Sequence, residues 1–121
     1  MPEFGFVLLY VDNPTASAAF YARLLDRPPV ESSPGFAMFA LRDGVMLGLW
    51  ARTTVEPAAT APGGHEVAFV AEDSAAVKRE WQAWVGKGVT IVQPPTTMDF
   101  GTTFTAVDPD GHRLRVFSPT A

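Results

Sequence analysis

Few side chains in this sequence could do bond-making chemistry. There are two histidines, His65 and His112, and no cysteine. A thiol nucleophile, a thiolate metal site and a disulfide are therefore all excluded. No G-x-S-x-G turn presents a serine, and neither histidine forms an evident dyad with a carboxylate. His112 follows a turn and reads as structural. His65 precedes a strand and reads as a solvated or capping group. No catalytic residue is nominated. The conspicuous side chains are aromatic instead: Trp50 and Phe39 offer flat π faces that suit stacking.

The bulk numbers bound what such residues could serve. A chain of 121 residues fits one compact domain, and 47% apolar residues can fill a core. Charged residues make up only 18%, without the polar runs of a disordered chain. The net charge is -4 and no basic stripe occurs, which argues against nucleic acid as a partner. The apolar run over residues 4–11 is too short for a membrane span and lacks the basic flank of a signal segment. Together these features read as a soluble, cytoplasmic protein without a membrane partner.

The elements follow from pattern. Residues 4–11 form a short β-rich run ended by Asp12, Asn13 and Pro14, hence a buried strand. Asn13 as N-cap with Pro14 at the first helical position opens a helix to residue 25, which Arg27, Pro28 and Pro29 stop. Val30 begins a weak strand. Residues 36–41 and 45–50 are strands around Asp43-Gly44, which reads as a type I′ hairpin. Residues 53–64, TTVEPAATAPGG, read as a linker.

The same order then recurs. A strand over 66–71 is followed by a helix capped by Asp73 or Ser74 and ended by Gly86 and Gly88. Val77, Trp81 and Trp84 or Val85 share one face of that helix. A short strand covers 89–92, Pro94 to Thr97 form a loop, and strands at 102–107 and 112–117 flank the turn Asp108-Pro109-Asp110-Gly111. Phe20 corresponds to Trp81, which therefore reads as core, Gly44 to Gly111 and Trp50 to Phe117. Trp84 reads as core or as a dimer contact. Such an internal repeat constrains the fold strongly. The fold class is α+β: a single domain over 1–121 of two βαβββ modules, 4–50 and 65–117, joined by a linker at 51–64. One module buries only one face of its sheet well, so two are expected to pack.

This order, with YVDN and FY near the start and DPDGH near the end, resembles the glyoxalase/bleomycin-resistance/dioxygenase superfamily over essentially the whole chain. Within it, LLYVDN, the FALRDGVMLGLW hairpin and DFGTTFTAVDPDGHRLRV are most similar to the phenazine antibiotic resistance proteins. The resemblance implies curved, eight-stranded mixed sheets. It also implies a divalent metal in the enzymes of the group, held by His and Glu from four strands. At the corresponding positions this sequence has Gly5, Gly48, Glu66 and Arg115. A glycine has no donor and a guanidinium cannot coordinate, so at most one ligand remains where three are needed. No metal and no cofactor are expected. Glu66 and Arg115 are expected to form an ion pair in place of the metal.

Strand alternation extends this placement. With Gly5, Gly48, Glu66 and Arg115 facing a cleft, Val7, Leu9, Met46, Trp50, Ala68, Val70, Arg113 and Phe117 face it too. Phe6, Leu8, Met38, Leu47 and Leu49 then pack under the helices. The hairpin turns put Phe39 opposite Gly48 and Phe104 opposite Arg115. Gly5 and Gly48 leave room on the floor, and Met98 and Phe100 lie in a loop able to close over it. The ligand-binding set is therefore Phe39, Met46, Gly48, Trp50, Glu66, Met98, Phe100, Phe104 and Arg115.

An apolar, aromatic cleft of this kind suits a planar aromatic molecule, sequestered without chemical change as a form of drug resistance. The alternatives are a metal-dependent lyase or dioxygenase of the same superfamily, and a carrier of peptides or natural products. The resemblance further implies a C2 homodimer, and the linker is long enough for the halves to be exchanged between chains.

Overall fold

The computed structural model describes residues 3–61 and 63–119. The chain divides into two compact units after residue 62. The first contains β1 (Phe6–Val11), α1 (Pro14–Leu25), β2 (Glu31–Ser32), β3 (Phe36–Arg42) and β4 (Val45–Ala51). The second contains β5 (Glu66–Val70), α2 (Ser74–Gly86), β6 (Thr90–Met98), β7 (Gly101–Val107) and β8 (Arg113–Pro119). Each unit is a βαβββ module, and the fold is α+β. The eight strands fall into two four-stranded mixed sheets, ordered β1-β4-β3-β2 and β5-β8-β7-β6. In each, the first strand pairs parallel with the last and the remaining pairs are antiparallel.

Local chemistry sets the helix limits. Asn13 Oδ1 accepts from the Ala16 N–H at 3.2 Å, and Asp73 Oδ1 accepts from the Ala76 N–H at 2.8 Å. Each satisfies one orphan donor of a first turn. Ser74 is not the cap; its hydroxyl meets Thr102 Oγ1 at 2.9 Å. Both helices end on a left-handed residue. Gly88 has φ 79°, with the Val89 N–H on Trp84 O and the Gly88 N–H on Val85 O, both at 3.1 Å, the two bonds of a Schellman stop. In α1 the left-handed residue is Asp26, φ 54°, one residue before the Arg27-Pro28-Pro29 breaker. Among the described residues no helix is long and apolar enough to cross a membrane.

One face of each sheet is closed by its helix. In the first unit Leu9, Val11, Ala37, Phe39, Leu47 and Leu49 are buried with Ala18, Tyr21 and Leu24 of α1, and Tyr21 and Phe39 have ring centroids 6.5 Å apart. In the second unit Phe104, Leu114 and Val116 are buried with Val77 and Trp84 of α2. The Trp84 ring sits edge-on to both Phe69 and Phe104, and its indole N–H donates to Glu80 Oε1 at 2.9 Å. The core tryptophan of α2 is therefore Trp84, whereas Trp81 is only half-buried.

Two local features depart from the sequence reading and matter for the site. Asp43 does not take a positive φ while Gly44 does, at 73°, so the β3–β4 turn is not type I′, which needs both. Arg42 still pairs with Val45, but Ala40 then pairs with Met46, leaving Leu41 as an extra residue on β3. The β7–β8 connection likewise spans residues 108–112, since Val107 pairs with Arg113. Asp108 Oδ1 holds it by accepting from the N–H groups of Asp110 (2.9 Å) and His112 (2.8 Å). A smaller difference is β6, which continues through Pro94 and Pro95 to Met98 with two register shifts. It is an edge strand, where a missing N–H is tolerated.

Candidate ligand-binding site

Residues directly opposite in a ladder share a face, so register decides which side chains leave the core. In the first unit Leu8, Gly48 and Met38 form one row across the sheet. Phe6, Met46 and Ala40 form the next row, and Tyr10, Trp50 and Phe36 the third. This is the face away from α1. It leaves Phe6 47%, Leu8 44% and Tyr10 40% exposed, a contiguous set of large apolar side chains that a folded surface rarely leaves without a role. Phe6, Leu8, Phe36 and Trp50 line a shallow cavity of about 440 Å³. The Tyr10 ring meets Trp50 edge-on at 6.3 Å. The residues that line this cavity are apolar and uncharged.

Trp50, Met46 and Gly48 lie on this face as expected, but the surroundings differ from the sequence reading in three ways. Phe39 is fully buried and packs on Tyr21. The extra residue at Leu41 moves every β3 residue before it to the opposite face, because side chains alternate with period two. On β1 the open-face residues are Phe6, Leu8 and Tyr10, while Val7 and Leu9 turn the other way; both faces of β1 are apolar, so composition carried no parity signal. Met38 joins them on the open face. Finally, Gly48 does not leave a hollow: it is buried, with Leu8 and Phe36 lying over it.

In the second unit the open face carries Glu66, Ala68, Val70, Arg113, Arg115, Phe117, Thr103, Thr105 and Val107. Phe104 is not among them. It pairs with Val116, is fully buried and packs on Trp84, because the longer loop at 108–112 shifts β7 by one residue. Glu66 and Arg115 do form the expected pair. Arg115 Nε donates to Glu66 Oε1 at 2.8 Å and Nη2 donates to Oε2 at 2.9 Å. Nη1 donates to Gln93 Oε1 at 3.2 Å and Thr103 Oγ1 at 3.1 Å. Thr105 Oγ1 also donates to Gln93 Oε1, at 3.0 Å. Gln93, Thr103 and Thr105 were not legible as partners, since they meet Arg115 only through the ladder.

These bonds have an electrostatic consequence. The hydrogen bonds from Arg115 hold the Glu66 carboxyl below its usual value, against a smaller opposing effect of burial. The same bonds hold the Arg115 guanidinium above its own. The guanidinium carbon lies 5.9 Å from the centre of the Phe100 ring, within cation–π range. Phe100 in turn meets Phe117 edge-on at 5.9 Å. Phe100 and Met98 are 42% and 41% exposed at the β6–β7 turn. Arg115 is therefore a fixed, already-partnered cation beside an exposed aromatic ring.

The donor chemistry does not fit a divalent metal. Gly48 and its neighbour Leu8 offer no side-chain donor, both Glu66 oxygens accept from Arg115, and a guanidinium cannot coordinate. Among the described residues no group of three or more His, Cys, Asp or Glu side chains is placed to hold an ion.

A chain of two βαβββ modules matches a known class of protein. The glyoxalase/bleomycin resistance protein/dioxygenase superfamily model matches residues 3–116, and the chain belongs to that superfamily. It is 30% identical over 112 residues to the phenazine antibiotic resistance protein EhpR of Enterobacter agglomerans, covering 90% of this chain and 86% of that protein. The solution NMR structure of protein ATC0852 from Agrobacterium tumefaciens is 51% identical, with full coverage of both chains and a TM-score of 0.89. A glyoxalase-related enzyme from Fulvimarina pelagi shares the fold at 22% identity, with a TM-score of 0.84 over 98% of this chain and 88% of that one.

Proposed function

We propose that this protein binds a planar aromatic small molecule and confers resistance by sequestering it unchanged. The observation that carries this reading is the cavity of Phe6, Leu8, Phe36 and Trp50, uncharged and open to solvent. Such a surface recognises flat hydrocarbon by burial and stacking. The similarity to a phenazine antibiotic resistance protein supports the same ligand class. The donor set around Gly48 and Glu66 supports binding over metal chemistry.

Titration of the protein with phenazine, followed by tryptophan fluorescence, tests the reading. Saturable quenching is expected, unaltered by prior treatment with a chelator, with phenazine recovered intact. Trp50→Phe should remove most of the signal while Trp81 and Trp84 still fluoresce. Chemical turnover of the ligand, or binding that requires a divalent ion, would contradict it. The same reading includes a homodimer, and elution at the monomer mass in gel filtration would remove that part.

A further inference from the structure

Gly48 lies in the middle of β4, where glycine ordinarily weakens a strand. Its φ is outside the left-handed region, so the backbone does not demand glycine there. The space above it does. A Cβ at this position would lie 2.6 Å from Leu8 Cδ2 and 3.1 and 3.3 Å from Phe36 Cζ and Cε1. Carbon atoms pack at about 3.5–4.0 Å, so the Leu8 methyl would have to retreat by roughly 1 Å and the Phe36 ring by a few tenths. Leu8 and Phe36 are two of the four residues lining the cavity. Both are side-chain ends rather than backbone, so a methyl group at residue 48 displaces them into the cavity instead of breaking the sheet.

We infer that Gly48 is a specificity-determining residue: by letting Leu8 and Phe36 lie flat against β4, it sets the depth of the cavity and admits fused-ring aromatics. This rests on the proposed binding function and names the position that tunes it. Gly48 touches the ligand through neither a donor nor a side chain; it acts by positioning Leu8 and Phe36.

A double-mutant cycle tests the inference. Wild type, Gly48→Ala, Leu8→Ala and the double variant are titrated with phenazine (three fused rings) and naphthalene (two), with thermal midpoints recorded for each. Gly48→Ala should fold and weaken phenazine binding about tenfold or more, the scale of one methylene in an apolar pocket. Its effect on naphthalene should stay under about threefold, and in the Leu8→Ala background its effect on phenazine should shrink to about threefold, since the group it displaces most is gone and only the smaller shift of Phe36 remains. Equal phenazine affinity for wild type and Gly48→Ala overturns the inference and leaves the binding function standing. An undiminished loss in the Leu8→Ala background also overturns it. If wild type binds neither compound, the binding function fails and this inference with it. A readout on wild type avoids any folding defect in the variants: phenazine should shift the Leu8 methyl resonances, and an unmoved Leu8 at saturation counts against the role of Gly48.

Discussion

Arg115 and Glu66 meet fork to fork, Nε on Oε1 at 2.8 Å and Nη2 on Oε2 at 2.9 Å. The geometry uses both carboxylate oxygens at once, which is the arrangement that makes arginine rather than lysine suited to the position. Gln93 and Thr103 hold the remaining arm of the guanidinium, so the cation is rigid on the open face of the second sheet.

The pair should be visible in the pH dependence of stability. Glu66 has a folded-state pKa below its ordinary value of 4.5. Its contribution is therefore fully present above that ordinary value and is lost as pH falls through the lower folded one. The side chains are 18% and 31% exposed for Arg115 and Glu66, so solvent screens part of the interaction. Glu66→Gln should lower stability by about 0.5–1 kcal/mol at neutral pH, allowing for that screening. Urea denaturation should show wild type and variant converging as pH falls below the lowered folded-state value of Glu66, where the carboxyl is protonated. A difference that stays constant between neutral and acid pH would contradict the role given to the charge.

Phe39 and Phe104 are core residues and should behave as such. Phe39→Ala and Phe104→Ala each remove a ring that is fully buried, and a loss of about 3–5 kcal/mol is expected for each. Denaturant titration of the two variants measures it. A variant of wild-type stability with altered phenazine affinity would put that ring back in the binding face.

Asp108 should hold the register of β7 against β8. Its side chain accepts two backbone hydrogen bonds while the residue is only 5% exposed. Asp108→Ala leaves those N–H groups without that acceptor and should cost about 2–3 kcal/mol, with Asp108→Asn losing less because it retains an oxygen. Thermal midpoints of the two variants report the ordering. Equal midpoints for Asp108→Ala and wild type would show that the loop is held otherwise.

The repeat and its elements were legible because caps, breakers and alternation act locally. Asn13-Pro14, Asp73 and Gly88 each announce a helix limit within a few residues. The Glu66–Arg115 pair was legible for a different reason: resemblance placed both on one face, and opposite charges did the rest. The faces of β1, β3 and β7 were not legible. In β1 and β3 the residues on both sides are apolar, so hydrophobicity does not choose between them. The choice is made by single residues, Leu41 as an extra residue within β3 and His112 as the last residue of the loop before β8, each of which shifts the register by one. One such residue carries Phe39 or Phe104 from the open face to the core. Gly48 illustrates the same limit: a missing side chain reads as room, whereas its neighbours Leu8 and Phe36 occupy the space.

Under the proposed function, flat aromatic guests sit on the open face of the first sheet. Chemical-shift mapping of the isotope-labelled protein with phenazine tests it most directly. The largest changes are expected at the Trp50 indole N–H, the Leu8 methyls and the Phe6 and Phe36 rings, with α1 and Trp84 nearly unmoved. Shifts concentrated on α1 or α2, with Trp50 and Leu8 unaffected at saturation, would contradict it.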